Sequence, residues 1–232
     1  MPVQAQQTVS EGKVIASFDF TQPSKEDASE WLKQQGFEFK LSAEDINPHF
    51  QNNRLFLETS GQYAGLIAKE VNIKGVDRVR ITWGVTEYPE GANWGEGVYR
   101  VPIAVMLSFG DKTVDSGSFF VPDTPYFIGL FLGEHEQEGR AYKANYYREG
   151  GRYFCQPCGS EPGKEVTTTF DLDKALKNNF DISSQLPITS VGIQMNTTDT
   201  EGGAKAFIEK IEFLADASRP EVAELTEASD TR

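Results

Sequence analysis

The pair Cys155-Gln-Pro-Cys158 has the sharpest chemical spacing in the chain. Two cysteines separated by two residues can cycle between dithiol and disulfide when a helix N-terminus lowers one thiol pKa. Here they lie between Arg152-Tyr-Phe and Gly159-Ser-Glu-Pro-Gly163, a context that predicts a turn between strands with no helix after it. A structural zinc site takes four ligands, and the chain adds only His49 and His135 to the two thiols. The leading expectation is a local disulfide, with a metal half-site and a redox centre as alternatives. A disulfide agrees with export to an oxidising compartment.

Nucleophilic catalysis needs a base that is held by a carboxylate and placed beside a nucleophile. His49 follows Asn-Pro in a polar loop, and His135 sits in the charged tip Glu134-His-Glu-Gln-Glu138, which offers carboxylates but no marked nucleophile. Both are read as exposed loop histidines. Asp199 and Glu201, in the turn Asn196–Gly203, are oxygen donors of the type calcium takes. The turn lacks the dense Asp/Asn spacing of a dedicated calcium loop, and its Asn, Asp and Gly also suit tight backbone shapes. Ordinary turn chemistry is the favoured reading, and calcium the alternative.

The aromatic residues suggest binding rather than reaction. Tyr88, Trp94 and Tyr99 cluster in the Gly-rich segment 87–100, and Tyr142, Tyr146, Tyr147 and Tyr153 cluster around an expected hairpin. Flat aromatic rings pack against the C–H faces of sugar rings, while neighbouring acids and amides bond the hydroxyls; small-ligand sites combine apolar walls with a few polar groups in this way. Trp94, in a polar loop, is expected to be exposed, with Tyr88, Tyr99, Tyr142 and Tyr146 as further contacts. Trp83 is expected in the core.

The elements that must position these residues are strands. Val79, Ile81, Trp83 and Val85 alternate with polar residues, as do Val101, Ile103, Val105, Leu107 and Phe109, and Val191, Ile193 and Met195. Such alternation marks half-buried strands. Further strands are expected at 13–20, 37–41, 54–59, 63–71, 77–86, 99–109, 118–121, 126–132, 141–148 and 164–170. Ser24-Lys-Glu-Asp27 has the form of a capping box before a short helix carrying Trp31, and Leu172, Ala175, Leu176 and Phe180 predict a second. Many short strands with few helices predict an antiparallel β-sandwich of jelly-roll type in one domain, residues 13–214. Residues 1–12 read as a leader, and residues 215–232 as an acidic tail suited to docking or solvation.

Composition narrows the partners. The 232 residues include 35 acids against 22 bases, for a net charge of −13. That balance argues against nucleic acid, which wants a basic face, and against anionic membrane surfaces. No run reaches the roughly 20 apolar residues of a membrane helix. Val3 and Ala5 are small residues of the kind that precede a signal-peptidase cut, so a periplasmic or secreted protein is expected.

Val191-Gly-Ile-Gln-Met-Asn-Thr-Thr-Asp199-Thr-Glu-Gly, followed by Ala-Lys-Ala and Ile211-Glu-Phe213, resembles the closing signature of a bacterial family, the domain of unknown function numbered 3047. Arg78-Val-Arg-Ile-Thr-Trp83 resembles that family's basic-aromatic strand, and Pro89-Glu-Gly-Ala92 its long loop. The Cys155–Cys158 insertion and the acidic tail depart from the pattern. The resemblance implies an exported sandwich like those of carbohydrate-binding modules, and it brings no catalytic residues. Tyr142-Lys-Ala-Asn-Tyr-Tyr147 is also similar to a strand of jelly-roll alginate lyases, which abstract a proton with Tyr and His; Gln194, followed by Met195 and Asn196, departs from their histidine strand. The leading expectation is a non-catalytic carbohydrate-binding module. An accessory subunit of a larger protein complex and a polysaccharide lyase are the alternatives.

Overall fold

The computed structural model describes residues 12–21, 27–119, 122–183 and 185–216. The strands are β1 (Lys13–Asp19), β2 (Glu38–Leu41), β3 (His49–Gln51), β4 (Arg54–Thr59), β5 (Ala64–Ile73), β6 (Arg78–Glu87), β7 (Val101–Val114), β8 (Thr124–Gly133), β9 (Gly151–Cys158), β10 (Glu165–Asp171), β11 (Ile188–Asn196) and β12 (Ala204–Ala215). Two helices, α1 (Ala28–Gln34) and α2 (Leu172–Phe180), interrupt them. One sheet runs β10-β6-β12-β4-β3, with β1 also on β12; the other runs β2-β5-β11-β7-β8-β9. We call them sheet A and sheet B. They form an antiparallel β-sandwich of jelly-roll type, with one exception to the strand sense: β8 and β9 are parallel.

The alternating residues close the core. Val79, Ile81, Trp83 and Val85 of sheet A face Ile103, Val105, Leu107, Val191, Ile193 and Met195 of sheet B in one buried cluster. The Trp83 indole N–H donates to the Thr168 hydroxyl at 3.0 Å, and that hydroxyl donates to the Gln156 carbonyl at 2.7 Å. The one polar atom of the indole is thus satisfied, as burial requires.

Several expected elements are placed differently. Ser24 lies outside the described residues, and the N-cap of α1 is Asp27, whose carboxylate accepts from the Ser29 and Glu30 amides at 2.8 and 3.1 Å. Residues 141–148 are not a strand; they form a loop whose Tyr142 makes an isolated bridge to Tyr153. The strand in that region is β9, and the Cys-x-x-Cys spacing sits at its end rather than in a turn between strands. Ser118 and Phe119 lie in a turn, and the remainder of the strand expected at 118–121 lies outside the described residues. The leader apart from Gly12, and the tail beyond Asp216, also lie outside them.

The outward face of sheet A is laced with ion pairs. Arg54 reaches Glu165 at 2.7 Å and Glu209 at 2.6 Å, Arg80 reaches Glu212 at 2.8 Å, and Lys205 reaches Glu58 at 2.7 Å. Phe207 is buried on this side beneath the Arg54 guanidinium, 4.3 Å from its ring centre. Gly84 makes room for it, because a β-carbon there would sit 2.3 Å from the Phe207 ring.

Two carboxyls in this lattice titrate in opposite senses. Burial, and then the neighbouring Glu165, hold the Glu209 carboxyl above the usual range despite Arg54. The hydrogen bond from Arg80 holds Glu212 below it. A carboxyl raised in the folded state contributes stability that is complete below its unfolded pKa and is lost as pH rises through the folded value. Glu212 behaves in reverse, and its contribution is lost as pH falls through its lowered value. Relative to the wild type, Glu209→Gln is therefore expected to gain in Tm as pH rises from about 4, near an ordinary glutamate pKa, towards neutrality. A difference in Tm that stays flat across that range would refute the assignment.

Candidate functional site

The outward face of sheet B is built from the residues that alternate with the core positions. Strand register aligns them in three rows. The first runs Leu66, Gln194, Ala104, Phe131, Cys155; the second Ala68, Gly192, Met106, Gly129, Tyr153; the third Glu70, Ser190, Ser108, Phe127, Gly151. Within these rows only Glu70 is charged, in a chain where 25% of residues are. The contrast with the ion-paired face of sheet A is what marks this face.

Small residues at the centre of this face sit beneath larger neighbours, a strip we call the trough. A β-carbon on Gly129 would lie 2.6 Å from the Tyr153 ring and 2.9 Å from the Met106 sulfur, and one on Gly192 would lie 2.9 Å from Leu66 Cδ1. Tyr153, Met106 and Leu66 therefore lean over the two glycines. Gln194, Ser190 and Ser108 remain half-exposed, so the trough offers an amide and two hydroxyls beside apolar surface.

An aromatic cluster walls the trough along β8 and β9. Trp94 stacks on Phe131 at 4.9 Å between ring centres and lies 4.6 Å from Tyr153, 5.1 Å from Tyr99 and 6.0 Å from Tyr142. The Trp94 backbone N–H donates to Glu136 at 3.0 Å, and its indole N–H donates to the Arg100 carbonyl at 3.0 Å. Burial, and then Tyr147, hold the Tyr153 phenol well above the ordinary tyrosine range. It stays a neutral hydroxyl throughout the physiological range.

The expected ligand contacts divide. Trp94, Tyr99 and Tyr142 are brought together, but Trp94 and Tyr142 are each only 5% exposed. The expectation of an exposed Trp94 is corrected: its loop folds back on sheet B, and the indole buries itself against Phe131 and Tyr153. Tyr88 packs on the main core and donates to the Ser160 carbonyl at 2.9 Å, and burial raises its pKa. Tyr146 is 51% exposed and takes no part in the cluster. Met106 and Leu66 were not singled out from the sequence, Gln194 was not read as a ligand contact, and Tyr153 was placed in an aromatic cluster but not among the contacts. Their signal was the uncharged, small-residue character of the outward positions on β7 and β11.

Cys155 and Cys158 are joined by a disulfide, with Cα atoms 5.4 Å apart, and both pack into the aromatic cluster. The bridge thus ties the end of β9 beneath the wall. Asp199 is ion-paired with Arg100, which places a cation beside the carboxylate that was the calcium candidate, and Glu201 is exposed. Among the described residues no group of three or more His, Cys, Asp or Glu side chains could hold a metal ion. His49 bonds the Asn47 carbonyl at 2.9 Å and stacks on Phe56, and His135 lies 3.5 Å from Glu134. Two open hollows of about 370 and 280 Å³ lie along and beside α2, edged by Asp173 and Lys177 and by Asp111 and Lys112. The trough is the better candidate, because both hollows are edged by several charged side chains whereas its rows from β5 to β9 carry only Glu70.

No known family matches the chain, and no curated protein matches it in sequence. Among the described residues no helix is long and apolar enough to cross a membrane. Several solved structures resemble it in part. A carbohydrate-binding module in complex with β-1,4-galactotriose is 8% identical over 86% of this chain and 99% of that one, with a TM-score of 0.37. A winged bean acidic lectin complexed with methyl-α-D-galactose is 14% identical over 87% and 99%, with a TM-score of 0.41. A mutant Emp46p carbohydrate recognition domain is 9% identical over 89% and 99%, with a TM-score of 0.44.

Proposed function

We propose that this protein is a non-catalytic carbohydrate-binding module whose site is the trough on sheet B. One observation carries the reading: three rows of almost uncharged outward positions, floored by glycine and alanine and walled by aromatic rings, in a strongly charged protein. A sugar offers apolar C–H faces and many hydroxyls. The half-exposed Leu66, Met106 and Tyr153 suit the first, and Gln194, Ser190 and Ser108 suit the second. The disulfide supports an extracytoplasmic setting, and membership of the domain-of-unknown-function family belongs to this same proposal.

The test is a glycan array followed by titration calorimetry. Gln194→Ala is expected to weaken binding of a positive glycan about tenfold, the equivalent of one hydrogen bond. Tyr146→Ala, an exposed residue outside the aromatic cluster, is expected to leave it unchanged. An array without signal, or a Gln194→Ala protein that binds like the wild type, would overturn the assignment.

A further inference from the structure

Resting on the carbohydrate reading above, we infer that the trough takes neutral glycan chains and rejects those bearing uronate or sulfate groups. Recognition of an anionic sugar requires a cation that is free to meet it, commonly an arginine fork on a carboxylate or sulfate. From β5 to β9 the three rows contain no base and the single acid Glu70, and at the β2 edge the base Lys40 stands opposite Leu66 beside the acid Glu38 opposite Ala68. Three of the described bases around it have partners. Lys40 pairs with Glu38 at 3.2 Å, Arg100 pairs with Asp199 and also donates to the Thr198 carbonyl, and the Arg140 guanidinium lies 4.8 Å from the Tyr142 ring centre.

The rim adds acids. Glu136 accepts from the Trp94 amide behind the wall, and Glu96 and Glu134 lie in the loops that carry it. An anionic chain laid in the trough would meet these carboxylates and a net charge of −13, with no base among the row positions from β5 to β9. A neutral chain meets none of that cost, and its hydroxyls find the uncharged groups of Gln194, Ser190, Ser108 and Tyr153. From β5 to β8 the trough spans three strand spacings, roughly 14 Å, or about three pyranose units. The ligand is therefore a short stretch of a neutral polysaccharide rather than a single sugar.

The experiment compares neutral β-linked glucose and galactose hexamers with a galacturonate hexamer, using calorimetry on the intact protein at low and at physiological salt. The expected result is binding of a neutral hexamer and at least about 30-fold weaker binding of the galacturonate, with the gap narrowing as salt screens the acids over a Debye length of about 8 Å. Gln194→Lys is expected to narrow it further by supplying the missing cation. Galacturonate binding as tight as the best neutral hexamer overturns the inference and leaves the carbohydrate reading standing. Binding of no hexamer, neutral or acidic, overturns both.

Discussion

Replacing Trp94 with alanine is expected to lower stability by about 3–5 kcal/mol, the range for truncating a buried aromatic residue, and to abolish binding in the trough. The indole is packed against Phe131, Tyr153, Tyr99 and Tyr142 at once. Its removal opens a void between the loop at 88–100 and sheet B, and it strands the Glu136 carboxylate, which accepts from the residue-94 backbone N–H only while the loop is seated. The effect on binding is indirect, since the ring is almost fully covered and acts by holding Tyr153 and Tyr99 in place. Urea unfolding with calorimetric binding measures both effects. Tyr146→Ala should stay within about 0.5 kcal/mol of the wild type, as exposed substitutions do. A Trp94→Ala loss below about 1 kcal/mol, well under the range for buried aromatic truncation, would show that the loop is not docked.

Gly129→Val should damage the same site from the floor. The added β-carbon would lie 2.6 Å from Tyr153 Cδ1 and 2.9 Å from the Met106 sulfur. The tyrosine cannot swing away, because Trp94 and Phe127 hold its ring. Overpacking of this kind costs about 1–3 kcal/mol, and the displaced ring and sulfur would fill the trough, so glycan binding should be lost. Gly192→Ala is the informative comparison. Its β-carbon would meet the end of the Leu66 side chain at 2.9 Å, and a leucine methyl on a half-exposed residue can turn aside. Stability should therefore change little at Gly192. Equal tolerance at both positions would refute the account of the floor.

The core was legible because period-two alternation is a direct statement about which side of a strand meets the other sheet. Val79 to Val85 and Ile103 to Phe109 were placed correctly for that reason, whereas Val101, beyond a break in register, joins the aromatic cluster instead. The wall was legible only in part. A Gly-rich, polar loop around Trp94 predicts a turn, but not whether that turn folds back on a sheet. The aromatic residues of 141–148 resembled a strand in composition, yet β9 occupies that edge and pairs in parallel with β8, a pairing that local sequence does not encode. The floor residues escaped notice for a different reason. Glycine, alanine and serine draw attention as turn formers, whereas here the glycines matter through the close approach they allow Tyr153, Met106 and Leu66.

The positions of β11 and β12 have a consequence for how the chain is made. β11 lies between β5 and β7. β12 lies between β6 on one side and β4 and β1 on the other, with Lys13 opposite Ala215. Both central strands therefore leave the ribosome after everything they hold together. Until then β5 and β7 have no strand between them, and neither do β4 and β6. Their unpaired edges are open to other chains in the meantime, and the contact between β1 and β12 closes a loop of almost the whole domain, which slows assembly. Each sheet is therefore completed only by one of the last two strands to be made.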